Sequence, residues 1–228
     1  MAVYEIAGVT VDMQLTGRTA RQAEPYRIHG DGKADMVIRC DAQRTLEQNP
    51  QLEDLDMAEY IATGTIFARN ILKYDGFQLH ACAVGLDGKA YLFSAPCGMG
   101  KSTHGERWCR LFGATLINDD KPVLRYTESG WMVYGTPWSG KHDLSAPIGL
   151  PLGGIACLYR GEVNEIEPME TGKAVTAIIS QCLRNLSGEQ MQRQLELLDK
   201  LLRQKPIWQL TSRNEDAAAE VSREAMTK

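Results

Sequence analysis

Gln78-Leu79-His80-Ala81-Cys82-Ala83-Val84-Gly85-Leu86, then Asp87-Gly88, then Lys89-Ala90-Tyr91-Leu92-Phe93-Ser94, runs directly into Ala95-Pro96-Cys97-Gly98-Met99-Gly100-Lys101-Ser102-Thr103. The first and third segments are strand-like, and only Asp-Gly separates them. That dipeptide suits a type I′ turn, which needs positive φ at both central residues. The two runs are therefore expected to pair antiparallel. The second strand then enters a glycine-rich loop, and His104 to Leu111 continues with helical spacing. A strand that feeds such a loop usually lies among parallel neighbours; here one neighbour is antiparallel, so a mixed sheet is expected.

A strand, loop and helix of this kind wraps successive N–H groups around a phosphate chain, and the helix N-terminus adds partial positive charge. Ala95, Pro96, Cys97, Gly98, Met99, Gly100, Lys101, Ser102 and Thr103 are the expected nucleotide-binding residues. Lys101 is expected to reach the β- and γ-phosphates, and the Ser102 hydroxyl to ligate Mg²⁺. The pattern G-x-x-x-x-G-K-[ST] begins with Gly, whereas Ala95 holds that place here. Alanine tolerates a left-handed backbone poorly, so residue 95 is expected at negative φ.

The hairpin fixes a register. With 87 and 88 as the turn, 86 faces 89 and His80 falls opposite Ala95, at the mouth of the loop. One helix downstream, the apolar run Thr115-Leu116-Ile117-Asn118 ends in Asp119-Asp120. Mg²⁺ prefers oxygen ligands and keeps waters, so one carboxylate with Ser102 suffices, and Asp120 is assigned to it. The other carboxylate then accepts a proton from an attacking hydroxyl, although which aspartate takes which role is left open. His80 is expected to bond the base aspartate or contact the γ-phosphate. Lys141 is a candidate second cation, and Arg160, Arg184 and Arg213 are candidate anion contacts.

Bulk properties bound the rest. The chain has 228 residues, 43% hydrophobic and 24% charged, which suits a globular protein with a real core. A formal net charge of −4 argues against a broad nucleic-acid surface. No run approaches the ~18 apolar residues of a membrane span, and no secretory leader is apparent, so a cytoplasmic protein is expected. Cys40, Cys82, Cys97, Cys109, Cys157 and Cys182 show no C-x-x-C pair, which suits reduced thiols. Cys97 alone lies in the loop, and its oxidation is expected to block nucleotide binding.

Along the chain, residues 1–55 read as a small β-rich region, with strands within Tyr4 to Leu15 and at Met36 to Ile38 and a turn at Gly30-Asp31-Gly32. Residues 56–228 read as the nucleotide-binding domain. Helices are expected over Met57 to Leu72, capped by Asp56, and over Lys101 to Phe112, Thr171 to Cys182, Gly188 to Arg203 and Asp216 to Met226. Val123 to Tyr126 and Trp131 to Tyr134 flank a hairpin turn. Gly135 to Lys141 is a loop, and Ile155 to Tyr159 and Ile207 to Leu210 are strands. Leu195, Leu198, Leu201 and Leu202 are expected to pack on the core.

Three segments together resemble the HPr kinase/phosphorylase superfamily, which is similar to the phosphoenolpyruvate carboxykinases. They are Phe93 to Thr103, Ile117 to Pro122 and Gly135 to Gly140, with His80-Ala81 in the preceding strand. The resemblance implies a mixed α/β phosphate-loop fold and an ATP- and Mg²⁺-dependent kinase. It implies active-site roles for Lys101, Ser102, Asp119, Asp120 and His80. The acceptor is expected to be a hydroxyl of a peptide, protein or small alcohol, with no nucleic acid or membrane partner, and a homo-oligomer is left open. Cys97 stands where these relatives often have Ser, and the segment that engages HPr has no counterpart, so HPr is not the expected acceptor. A nucleotide-binding regulatory module without phosphoryl transfer is the alternative. A carboxykinase would need an extra domain that a chain of this length lacks.

Overall fold

The computed structural model describes residues 2–29, 33–140, 143–213 and 215–228. The turn expected at Gly30-Asp31-Gly32 and the candidate Lys141 lie outside them. Two sheets form. The first has the order β3-β1-β2-β4, from β1 (Ala2–Ile6), β2 (Val9–Met13), β3 (Arg27–Ile28) and β4 (Met36–Ile38). The β1–β2 hairpin turns at Ala7-Gly8, both at positive φ. Two seven-residue helices, α1 (Gly17–Ala23) and α2 (Ala42–Gln48), accompany this sheet, and the sequence reading did not anticipate them.

Helix α3 (Leu55–Asn70) follows. Its cap is Asp54, which accepts from Met57 N at 2.8 Å; the expected cap, Asp56, instead lies in the first turn and accepts from Arg18 N. Tyr60 and Phe67 of α3, with Ile71 just beyond it, share a buried cluster with Ile6, Val11 and Met13, so α3 closes the core of the first sheet.

The second sheet is mixed. Its order is β5-β9-β10-β11-β7-β6-β8, and β13 adds to β11 and carries β12. The strands are β5 (Gly76–Gln78), β6 (Ala81–Leu86), β7 (Lys89–Ser94), β8 (Thr115–Asn118), β9 (Val123–Thr127), β10 (Gly130–Tyr134), β11 (Gly149–Arg160), β12 (Glu165–Pro168) and β13 (Ile207–Ser212). Asp87 and Gly88 take positive φ, and β6 pairs antiparallel with β7 in the register expected, Leu86 opposite Lys89 and Ala81 opposite Ser94. On its other side β7 pairs parallel with β11, which pairs parallel with β13. The twelve-residue β11 shifts register between Leu152 and Gly154. A Cβ at Gly153 would sit 2.7 Å from the Tyr91 ring, so glycine lets the strand bend there and change neighbours.

Helices cover both faces. Helix α4 (Lys101–Phe112) and helix α7 (Asp216–Met226) pack over Val84, Tyr91, Phe93 and Leu210. Gly105 lets α4 approach β6, since a Cβ there would lie 2.3 Å from Cys82 Sγ. Helix α5 (Thr171–Ile179) and helix α6 (Gly188–Gln204) cover the opposite face over Ala83, Leu92 and Ile155. In α6 the buried stripe is Gln194, Leu197, Leu198 and Leu201, spaced for one helical face. Leu195 falls off that stripe and is exposed, against expectation. All six cysteines are free thiols, and among the described residues no helix is long and apolar enough to cross a membrane.

Two expected elements are shorter than read, and their missing ends meet. The strand expected over Gln78 to Leu86 breaks at Leu79-His80, and the helix expected to reach Cys182 stops at Ile179. There Leu79 N donates to Pro122 O and His80 N donates to Gln181 O at 2.9 Å. His80 N thus takes Gln181 O, and Leu79 N takes the segment after β8, partners that neither regular element would allow.

Candidate active site

The loop between β7 and α4 has positive φ at Gly98 (78°) and Gly100 (91°), whereas Ala95 does not, as expected. Gly100 caps α4, and the chain closes into the helix through His104 N donating to Gly100 O at 2.8 Å. Alternating backbone handedness before a helix N-terminus makes a concave run of N–H groups suited to an anion. Lys101 is 7% exposed and curls under this loop, its Nζ donating to Ala95 O at 3.0 Å and Pro96 O at 3.3 Å. Burial pulls its ammonium below its ordinary pKa, opposed by the Asp120 carboxylate.

Across the cleft, β8 delivers the two aspartates, and Asn118 shapes their turn. Its Oδ1 accepts from the N–H groups of Asp120 (2.9 Å) and Lys121 (2.6 Å), while its Nδ2 donates to Thr136 O and Trp138 O. One buried amide thus ties the Asp119-Asp120 segment to the Gly135-to-Gly140 loop. That loop is seated by Trp138, which stacks on Phe67 at 4.7 Å and donates to Thr63 Oγ1 at 3.2 Å. Gly64 and Gly135 are required by proximity, because a Cβ at either would collide with Trp138 or with Ala146 O.

The aspartates differ in surroundings. Asp119 is 4% exposed, and its Oδ1 accepts from Gly140 N. A Cβ at Gly140 would sit 2.7 Å from Asp119 Oδ2, so glycine leaves room for this carboxylate. Asp120 Oδ1 lies 3.1 Å from His80 Nε2, and its Oδ2 lies 3.5 Å from Lys121 Nζ. Burial alone would raise the Asp120 pKa, yet the His80 hydrogen bond and the charges of Lys121, His80 and Lys101 outweigh it and hold the carboxyl below its usual range. His80 Nδ1 in turn lies 2.9 Å from Gln181 Oε1, and His80 O accepts from Ser94 Oγ.

Lys101, Ser102, Asp119, Asp120 and His80 line one cleft of about 760 Å³, together with Cys97, Gly98, Gly100 and Thr103. Ala95, Pro96 and Met99 line a neighbouring cavity on the far side of the loop. Of the three candidate arginines, Arg160 reaches the loop, donating to Gly98 O at 3.2 Å. Arg184 instead bonds Ser180 O, and Arg213 pairs with Glu162.

Two cleft residues, and a third behind His80, went unseen in the sequence. Arg18, from α1, reaches the rim, donating to Gly140 O, pairing with Asp143 and lying over the Tyr60 ring. Tyr60 donates to Ser139 O. Gln181 holds the outer nitrogen of His80. Each sits far from the motifs in sequence, and α1 is too short for its periodicity to stand out.

Among the described residues no group of three or more His, Cys, Asp or Glu side chains is arranged for a metal ion. The Ser102 hydroxyl and the aspartate carboxylates are hard oxygen donors, the kind Mg²⁺ takes in small number when substrate oxygens and water complete its shell.

No family model matches the chain, and no curated protein matches it. Among solved structures the chain is similar to one described as the structure of the Hpr(Ser) kinase/phosphatase from Coxiella burnetii. That likeness has a TM-score of 0.36 and 10% sequence identity, and covers 65% of this chain and 95% of the other. A similarity of that size carries no weight for the reaction.

Proposed function

We propose that this chain is an ATP-dependent phosphotransferase that moves the γ-phosphoryl group to a hydroxyl of a peptide, protein or small alcohol. The observation that carries the reading is the single cleft lined by Lys101, Ser102, Asp119, Asp120 and His80. Residues 56–228 form the phosphotransferase unit, and residues 1–55 contribute Arg18 to its rim.

In this reading the N–H groups of residues 97–102 cradle the phosphate chain. The Lys101 ammonium leaves Ala95 O and Pro96 O for the β- and γ-phosphate oxygens. Ser102 and Asp120 are the oxygen donors for Mg²⁺, which when bound neutralises charge on the phosphates. The depressed pKa of Asp120 keeps it anionic at neutral pH, as a metal-binding carboxylate must be. His80 orients that carboxylate, and Gln181 orients His80. Asp119 takes the proton of the acceptor hydroxyl as its oxygen bonds to the γ-phosphorus and the bridge to the β-phosphate breaks, releasing ADP.

Calorimetry of the full-length protein with Mg-ATP and Mg-GTP, followed by transfer from γ-labelled ATP into candidate peptides and alcohols, tests the proposal. Binding with label in an acceptor supports it. Absence of binding to either nucleotide overturns it, and binding without transfer to any acceptor favours a regulatory nucleotide module.

A further inference from the structure

Beside the main cleft, and sharing His80 and Lys121 with it, lies a smaller cavity of about 270 Å³. Its other walls are Gln78, from the end of β5, and Ser180 to Arg184, the segment that follows α5. Three stretches of chain cross there. Leu79 N donates to Pro122 O, His80 N to Gln181 O and Ala81 N to Asp120 O, and Leu79 bridges Cys182, so the backbone holds the cavity's shape.

Donors and cations dominate its lining. Lys121 and Arg184 bring positive charge, and among the described residues no Asp or Glu lines the cavity. Lys121 Nζ is partly matched by Asp120 Oδ2, 3.5 Å away. Arg184 donates to Ser180 O at 3.0 Å, which uses one of its several N–H donors. Gln78 Nε2 is buried and has no hydrogen-bond partner among the described residues, a state that buried donors rarely keep. The cavity is therefore short of acceptor oxygens and of negative charge.

We propose that this cavity holds a carboxylate of the phosphoryl acceptor, which is thus a hydroxyl compound with an acidic group close to its hydroxyl; the inference rests on the phosphotransferase reading. The cavity is smaller than the roughly 300 Å³ at which small-molecule sites begin, so it suits one functional group of an acceptor whose remainder lies in the main cleft. Arg184 offers the planar fork that matches two carboxylate oxygens. With Lys121 partly matched by Asp120, the remaining positive charge fits a singly charged carboxylate better than a phosphate dianion. The carboxylate is a handle and takes no part in the bond changes: the hydroxyl oxygen bonds to phosphorus, and its proton passes to Asp119. Its seat is close to them, because Lys121 directly follows Asp119-Asp120 and lines both cavities. A small hydroxy acid and an acidic peptide share this chemistry.

The test measures transfer from γ-labelled ATP, by full-length protein, into matched acceptors that differ in one charge. The pairs are N-acetyl-L-serine and its amide, D-glycerate and D-glyceramide, and serine peptides with aspartate or asparagine beside the serine. In at least one pair the carboxylate member is expected to have a kcat/KM about tenfold or more above its amide, and the pair that responds separates a hydroxy acid from an acidic peptide. Arg184 is exposed, so Arg184→Gln spares the core. In that variant the two members should come within about twofold of each other through a raised KM for the carboxylate, with the Kd for Mg-ATP within about twofold of wild type. Equal use of both members of every pair overturns the proposal and leaves the phosphotransferase reading standing. A preference that survives Arg184→Gln also overturns it, since the carboxylate is then read elsewhere. So does protein that binds Mg-ATP and labels no member of any pair. Protein that binds no Mg-ATP removes the phosphotransferase reading itself.

Discussion

His80 Nε2 lies 3.1 Å from Asp120 Oδ1, and this contact joins the break just before β6 to the turn that follows β8. The two residues are forty positions apart, and the antiparallel pairing of β6 with both β7 and β8 brings them together. A carboxylate held from one side presents its remaining oxygen in a fixed direction, which is what a metal ligand requires.

His80→Ala removes that restraint. The variant is expected to need severalfold more Mg²⁺ for half-maximal activity and to lose about 10²-fold in kcat, with tripolyphosphate affinity in EDTA unchanged. A Mg²⁺ titration that superimposes on wild type would refute the positioning role.

The two aspartates are expected to separate under substitution. Asp119→Asn should lower kcat by about 10³-fold or more with the Mg²⁺ requirement unchanged, because it loses the proton acceptor. Asp120→Asn should raise the Mg²⁺ requirement as well as lower the rate. If both variants keep full activity, neither assignment stands.

Lys101→Ala should abolish transfer and weaken Mg-ATP binding. Lys101→Arg should fail to restore it, because Nζ is a compact donor between two carbonyl oxygens, a geometry that a planar guanidinium fork does not reproduce. Transfer rates of either variant, measured with labelled ATP, decide this.

His104 governs the response of stability to acid. Burial, with the nearby Arg107 charge, pushes its pKa down to about 3 from an ordinary 6.5, and its Nε2 lies 3.0 Å from Ser222 Oγ of α7. Between those values the unfolded chain binds a proton that the folded chain does not, so acidification below pH 6.5 favours unfolding. The loss should reach about 2 kcal/mol at pH 5. Urea unfolding at pH 7 and pH 5 should show this difference in wild type and its disappearance in His104→Gln.

Trp138→Ala should cost about 3–5 kcal/mol, because the indole is buried on Phe67 and Gly64 and its cavity has little means of closing. Activity should fall with it, since the loop that Trp138 seats also supplies Gly140 N to Asp119. A urea-unfolding loss below about 1 kcal/mol would show that the loop is held by other contacts.

The glycine-rich loop between β7 and α4, the hairpin before it and the helix after it were legible because each depends on neighbouring residues. Asp87-Gly88 carries its turn in its own backbone preference, and Gly100-Lys101-Ser102 marks a junction that local periodicity frames. The hairpin register held as far as Ala81 opposite Ser94, whereas His80, expected opposite Ala95, lies outside the ladder and reaches the cleft from the break before β6. Helices α1 and α2 were not legible, since seven residues complete too few turns to display an apolar stripe. The early stop of α5 at Ile179 was hidden for another reason: the backbone partner of Gln181 is His80, a hundred residues away.

Thus the chain's local chemistry determined which lysine, hydroxyl, carboxylate and imidazole groups are present, and on which strand ends they lie. Tertiary structure alone decided that Gln181 holds His80, that Asp120 and not Asp119 meets the imidazole, that Asn118 ties the two loops, and that Arg18 comes to the rim. Backbone preference acts over a few residues and is written in adjacent letters. Side-chain hydrogen bonds between distant segments exist only after the sheet has fixed their separation, and no local pattern records them.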